Sequence, residues 1–132
     1  MRRSGLGQTA TASLHALMGW AFCGATMSIA MAAGPLRTAL IIHAAGAPLI
    51  FATISWAYFT RFEFSSPLRT ALTFVAVVIF MDVFLVAVVV QGSFAMFRSF
   101  VGTWLPFILI FVSTYVTGAF FVSRRKATAS RR

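Results

Sequence analysis

Charge is scarce in this chain, and acid scarcest of all: charged residues make up 10% of 132, and only two are acidic. A soluble domain carries about 25% charged residues, so a water-soluble globule is excluded. Cysteine is equally rare. A single Cys23 sits inside an apolar stretch, which excludes an internal disulfide or a thiol redox pair built from this chain alone. What the sequence has in abundance is apolar surface, with 60% hydrophobic residues. It reads as a membrane protein.

Four apolar runs stand out, over 12–33, 36–59, 68–90 and 101–122. A membrane-spanning helix needs about 20 largely apolar residues, so these runs and short loops account for a single integral membrane domain over 1–132. Only helices and closed barrels satisfy the backbone in lipid, and runs this long are helices. The expected fold is therefore all-α, a four-helix transmembrane bundle. The second run opens with Gly34-Pro35 and the third with Ser65-Ser66-Pro67. Both place proline at the first helical position, where its missing N–H costs nothing.

Orientation follows from Lys and Arg, which are retained on the cytoplasmic side. The N-terminus (Arg2, Arg3), the middle loop (Arg61, Arg69) and the segment 123–132 (Arg124, Arg125, Lys126, Arg131, Arg132) hold nine of eleven basic residues, against Arg37 and Arg98 in the other two loops. Both termini are expected in the cytoplasm, and any homodimer should be parallel. The basic tail 123–132 is expected to bind anionic lipid headgroups, each cation contributing about 1 kcal/mol near such a leaflet. No stacking surface or folded module accompanies it, so nucleic acid is not its expected partner. The first run has a rival reading. Arg2, Arg3 and the small residues Ala30-Met31-Ala32 also suit a cleaved signal peptide, but its apolar stretch is about twice the usual 7 to 15 residues and contains His15 and Trp20.

The connection 91–103 carries Phe94, Phe97 and Phe100 at helical spacing, with Val101 and Trp104 following. It reads either as a short interfacial helix or as an aromatic lead-in to the fourth span. The hexapeptide Pro-Leu-Arg-Thr-Ala-Leu occurs at 35–40 and again at 67–72. The match fades at once, so it reads as a reused helix start rather than a transporter repeat.

Polar residues inside the spans are the candidates for function. At about 1.5 Å per residue, His43 lies ~10 Å and Asp82 ~13 Å below the outer surface, in one layer. His15 lies near the cytoplasmic end, roughly 15 Å away along the membrane normal. Two histidines so far apart cannot ligate one haem iron, and zinc needs three or four converging ligands. No cofactor or metal is expected. No nucleophile, base and orienting group converge, so no catalytic residue is assigned and the chain is not expected to be an enzyme.

Asp82 is the only acid within a span and should face the bundle interior, given the cost of an ionisable group in lipid. It is expected either neutral and hydrogen-bonded, or charged and paired with His43. Asp82, His43 and His15 are thus the proton-binding or polar core candidates. Helix packing should use small residues: His15, Gly19, Cys23 and Thr26 on one stripe of the first span, with Gly24, Ser28 and Ala32 as a further row. The second span offers His43, Gly46, Ala47, Ile50 and Thr53, and the fourth Thr114, Thr117 and Gly118. Pro48 and Pro106 each remove a backbone bond and allow a bend. Trp56, Tyr58, Trp104 and Tyr115 read as interfacial anchors, whereas Trp20 lies deeper and packs.

In its layout, with His43 followed by Ala44 and Pro48, Asp82 in the third span, and Gly102-Thr103-Trp104-Leu105-Pro106 opening the fourth, the chain resembles the small four-span inner-membrane proteins of bacteria. That group has no assigned function. The likeness covers nearly all the spans and implies a bacterial inner-membrane location, with no catalytic or binding residues to carry over. Small multidrug exporters are of similar size but keep their essential acid in the first span, where this sequence has none, and fluoride-channel motifs are absent. The leading expectation is a non-catalytic membrane protein acting by association with lipid, with itself or with a larger membrane complex. The alternative is a proton-coupled carrier or channel for a small solute that uses Asp82 and His43.

Overall fold

The computed structural model describes residues 5–62 and 66–132. It is an all-α bundle of four rods, Gly5–Ala33, Leu36–Arg61, Pro67–Gln91 and Phe100–Ser130, each long and apolar enough to cross a membrane, and each built on one α-helix. The helices are α1 (Gly5–Ala33), α2 (Leu36–Arg61), α3 (Pro67–Met81) and α4 (Leu105–Ser130). The winding of α3 continues as a π-helical stretch, Asp82–Gln91, and α4 is preceded by a short 3-10 turn, Ala95–Arg98, and a π turn, Phe100–Trp104. Arg2, Arg3 and Ser65 lie outside the described residues.

Two helices run well past the apolar segments that define the spans. The 29 residues of α1 extend about 43 Å, beyond the ~30 Å hydrocarbon core. The Gly-Leu-Gly-Gln-Thr-Ala-Thr start contains nothing that stops a helix, and its threonines bond back to their own chain, Thr9 Oγ1 to the Gly5 carbonyl at 3.1 Å and Thr11 Oγ1 to that of Gly7 at 2.8 Å. At the other end of the chain, the basic segment continues α4 without a break to Ser130. Arg, Lys and Ala are strong helix formers, so the tail is a charged helical turn rather than a loose extension.

The helix starts differ in one detail from the expected pattern. Pro67 is the first residue of α3, with Ser66 as its cap accepting from the Arg69 backbone N–H at 3.3 Å. Pro35 stands one position earlier and is itself the cap of α2, so Leu36 begins that helix. Pro48 is accommodated inside a continuous α2. Pro106 lies in the first turn of α4, after the π turn, where no intrahelical donor is lost. Gly92 ends the π stretch in the left-handed region at φ 59°, a conformation glycine adopts without strain.

Helix α1 packs against α2 and α3, and α4 packs against the same two. The order around the bundle is therefore α1, α2, α4, α3, with α2 and α3 on a diagonal. At the centre of that diagonal sit Phe51, Tyr58 and Phe74, all with 0% exposure. Phe74 meets Phe51 at 6.0 Å and Tyr58 at 5.9 Å between ring centroids, both edge-on. Tyr58 is thus a core residue and not an interfacial anchor; its helix face, one turn from Ile54 and Ser55, points inward. Trp56 is half exposed and packs edge-on against Phe121 at 4.8 Å.

Glycines set the closest helix approaches, which in lipid are driven by packing rather than apolar burial. A Cβ on Gly19 would lie 2.7 Å from Phe51 Cζ, and one on Gly118 would lie 2.6 Å from Phe59 Cζ and 2.8 Å from Pro67 Cβ. The row Gly24, Ser28 and Ala32 does not serve this purpose: all three are exposed, and nothing lies within 4 Å of a Cβ at Gly24. That row falls on the side of α1 turned away from α2, because Gly19 and Cys23 already occupy the interface.

Candidate functional site

The one acid of the spans is turned inward, and α1 supplies its partner. Trp20 Nε1 donates to Asp82 Oδ1 at 2.9 Å. The reason lies in the helix order. Since α2 and α3 are diagonal, α1 is the helix adjacent to both, and its residues come between His43 on α2 and Asp82 on α3. Asp82 also marks the point where the α-helical winding of α3 gives way to the π-helical stretch, whose wider hydrogen-bonded rings rotate the following side chains relative to α3.

His43 faces α1 as well, approaching the backbone of Cys23. Its Nδ1 is buried and has no hydrogen-bond partner, and no ion pair joins it to Asp82. Cys23 is buried one turn along α1 from Trp20. Trp20, Cys23, His43 and Asp82 therefore form one polar zone around α1, in which Trp20 bonds to Asp82 across helices and His43 approaches the Cys23 backbone. An indole N–H buried in a span needs an acceptor. That requirement is the signal in the sequence for Trp20, which does more than pack: it holds the acid.

His15 stands apart from this zone. Its Nδ1 donates to the Thr11 carbonyl at 2.8 Å, and its ring lies edge-on to Tyr58 and Phe62 at 5.3 and 5.6 Å. Phe51, Phe74 and Tyr58 fill the interior between the two levels. Among the described residues no group of three His, Cys, Asp or Glu is close enough together to hold a metal ion. Two further buried hydroxyls, Ser55 Oγ and Thr114 Oγ1, also lack partners. The register that sets Phe59 against Gly118 brings Ser55 level with Thr114, one turn earlier on each helix.

Among the described residues most of the basic side chains gather at one end of the bundle, with Arg37 and Arg98 at the other. Arg69 Nη2 reaches Thr9 Oγ1 at 3.5 Å, joining the first turns of α3 and α1. Arg125 Nη2 donates to the Phe59 carbonyl at 2.7 Å, where a cation near the C-terminus of α2 also complements the helix dipole. Arg124 lies 4.6 Å over the Phe120 ring. Lys126, Arg131 and Arg132 are exposed. At the opposite end, the aromatic connection is tied back to itself by Thr103 Oγ1 to the Met96 carbonyl at 2.7 Å and Trp104 Nε1 to that of Phe97 at 2.8 Å. It is neither a regular interfacial α-helix nor a plain extension of α4, since a tight turn and a wide turn follow each other.

Grooves open on the outer faces, two of them between neighbouring helices of the described residues. One, of about 480 Å³, runs between α1 and α3 along Ser13, Leu17, Ala76, Val77 and Phe80. The other, of about 300 Å³, lies between α2 and α4 along Trp56, Val116, Thr117 and Phe120. No known protein family, curated protein or solved structure matches the chain.

Proposed function

We propose that this chain is a non-catalytic membrane protein that acts by association at its outer faces, with lipid foremost and with itself or a larger membrane complex as further partners. The observation that carries this reading is the closed interior. Phe51, Tyr58 and Phe74, all at 0% exposure, stand between the polar zone of Asp82 and the end that carries His15, so no chain of polar groups among the described residues crosses the bundle. The features open to the surroundings include the two lateral grooves and the cationic end. The nine-to-two distribution of basic residues supports placement in a bacterial inner membrane with both termini cytoplasmic. This is the setting of the four-span proteins the chain resembles.

The test offers the purified full chain equimolar phosphatidylglycerol and phosphatidylcholine and reads retained lipid by native mass spectrometry. Preferential retention of phosphatidylglycerol is expected, reduced when Arg124, Arg125, Lys126, Arg131 and Arg132 are all changed to Gln. Equal retention of the two lipids overturns the reading.

One observation favours a second reading, a proton-coupled carrier. His43 Nδ1 is buried without a partner in the same zone as Asp82, and a buried polar group left unsatisfied calls for a cause. In that case Asp82→Asn abolishes proton-coupled flux in proteoliposomes while the protein remains folded. Under association alone, neither the wild type nor the variant conducts protons.

A further inference from the structure

We propose that the groove between α1 and α3 is a binding site for one anionic glycerophospholipid, with its phosphate on Arg69 and one acyl chain along Ser13, Leu17, Ala76, Val77 and Phe80. The proposal deepens the lipid-association reading and rests on it.

Length is the first argument. The groove walls run from Thr9 to Leu17 on α1 and from Thr73 to Met81 on α3, about 12 Å on each helix at 1.5 Å per residue. That is close to one leaflet's share of a hydrocarbon core about 30 Å thick. The groove begins at the basic end and stops near the level of Asp82, as an acyl chain from the leaflet at that end would.

The lining is the second. Two of its three polar side chains bond back to their own helices, Thr9 Oγ1 to the Gly5 carbonyl at 3.1 Å and Thr73 Oγ1 to the Arg69 carbonyl at 2.8 Å, which leaves Ser13 as the one hydroxyl open to the trough. The threonine methyl groups join Leu17, Val77 and Phe80 to make a wall suited to hydrocarbon. A partner helix would draw on such hydroxyls for interhelical hydrogen bonds, and here the two threonines are already engaged.

Charge is the third. Arg69 is exposed at the mouth and spans it to Thr9 at 3.5 Å. Among the described residues the only acid is Asp82, which is engaged by Trp20 further into the membrane. A guanidinium offers five N–H donors in a fork that matches phosphate oxygens. An anion at this level meets a positive charge with an apolar trough leading inward from it, which is the layout of a phospholipid.

The experiment uses the full chain in mild detergent with the same pair of lipids, read by native mass spectrometry. Arg69→Gln is expected to lower retained phosphatidylglycerol about fivefold. Ala76→Trp, which fills the groove and leaves Arg69 in place, is expected to lower the retained adduct at least as far with unchanged helix content by circular dichroism. Ala76→Leu replaces it if the tryptophan alters helicity. If both groove variants retain phosphatidylglycerol as the wild type does while the Gln-substituted tail variant loses it, the groove assignment fails and lipid association stands. If the wild type holds both lipids equally, both readings fail. If Ala76→Trp dissolves a dimer and leaves the lipid adduct intact, the groove belongs to a second copy of the chain and the assignment is overturned.

Discussion

Trp20 Nε1 and Asp82 Oδ1 lie 2.9 Å apart, and this bond joins the first and third spans at the level where α3 turns into a π-helix. Its two ends are far apart in sequence and unlike in chemistry. Trp20→Phe removes the donor and leaves the carboxyl buried, which is expected to destabilise the bundle by about 1 to 3 kcal/mol. Asp82→Asn keeps an oxygen for the indole and should cost less. Unfolding in mixed detergent micelles, with the double variant completing the cycle, measures the coupling. Strict additivity would show that the two side chains do not meet in the membrane.

Glycines of the same helix should respond in opposite ways to the same substitution. Gly19→Ala drives a methyl toward Phe51, and on α4 Gly118→Ala meets both Phe59 and Pro67. Each is expected to cost about 1 to 3 kcal/mol through overpacking. Gly24→Ala, with open space around it, should be neutral or stabilise by up to about 1 kcal/mol, the usual advantage of Ala over Gly within a helix. Thermal melts of the three variants in one detergent compare them directly.

Ser55 and Thr114 carry buried hydroxyls without partners. Replacing an unsatisfied polar group by an apolar one of similar shape is neutral or favourable. Ser55→Ala and Thr114→Val are therefore expected to leave the melting temperature unchanged or raise it. A loss of about 2 kcal/mol or more in either variant would mean that the hydroxyls hold an ordered water between α2 and α4.

Arg125 pins the basic end of α4 to the last turn of α2 through the Phe59 carbonyl at 2.7 Å. Arg125→Gln should loosen that end by about 1 kcal/mol, seen as roughly fivefold faster amide exchange over 123–130. Arg124→Gln, which loses a ring contact alone, should change exchange less. Equal effects from the two would assign the order of this segment to helix propensity instead of the pin.

The aromatic core shows where sequence reading stops. Tyr58 and Trp56 stand two positions apart near the end of one span, and both suit an interfacial anchor by composition. Only the packing separates them, Tyr58 entering the centre against Phe74 and His15 while Trp56 faces outward. The same holds for Gly24 and Gly19, which have equal claim to an interface until the rotation of α1 is known. The π-helical winding from Asp82 had no signal in the residue pattern, because apolar residues line that stretch on every side.

Run length, apolar composition and the basic end were legible in the residues themselves, since transfer of apolar side chains into lipid and of cations out of it depends on each residue alone. Asp82 facing inward followed from the same cost. Which partner it meets did not, because depth along a helix is countable from sequence whereas the order of helices around the bundle is not. The diagonal placement of α2 and α3, set by aromatic packing at Phe51, Tyr58 and Phe74, put α1 beside both. It gave the carboxyl to Trp20, left His43 Nδ1 alone, and opened the groove above Arg69.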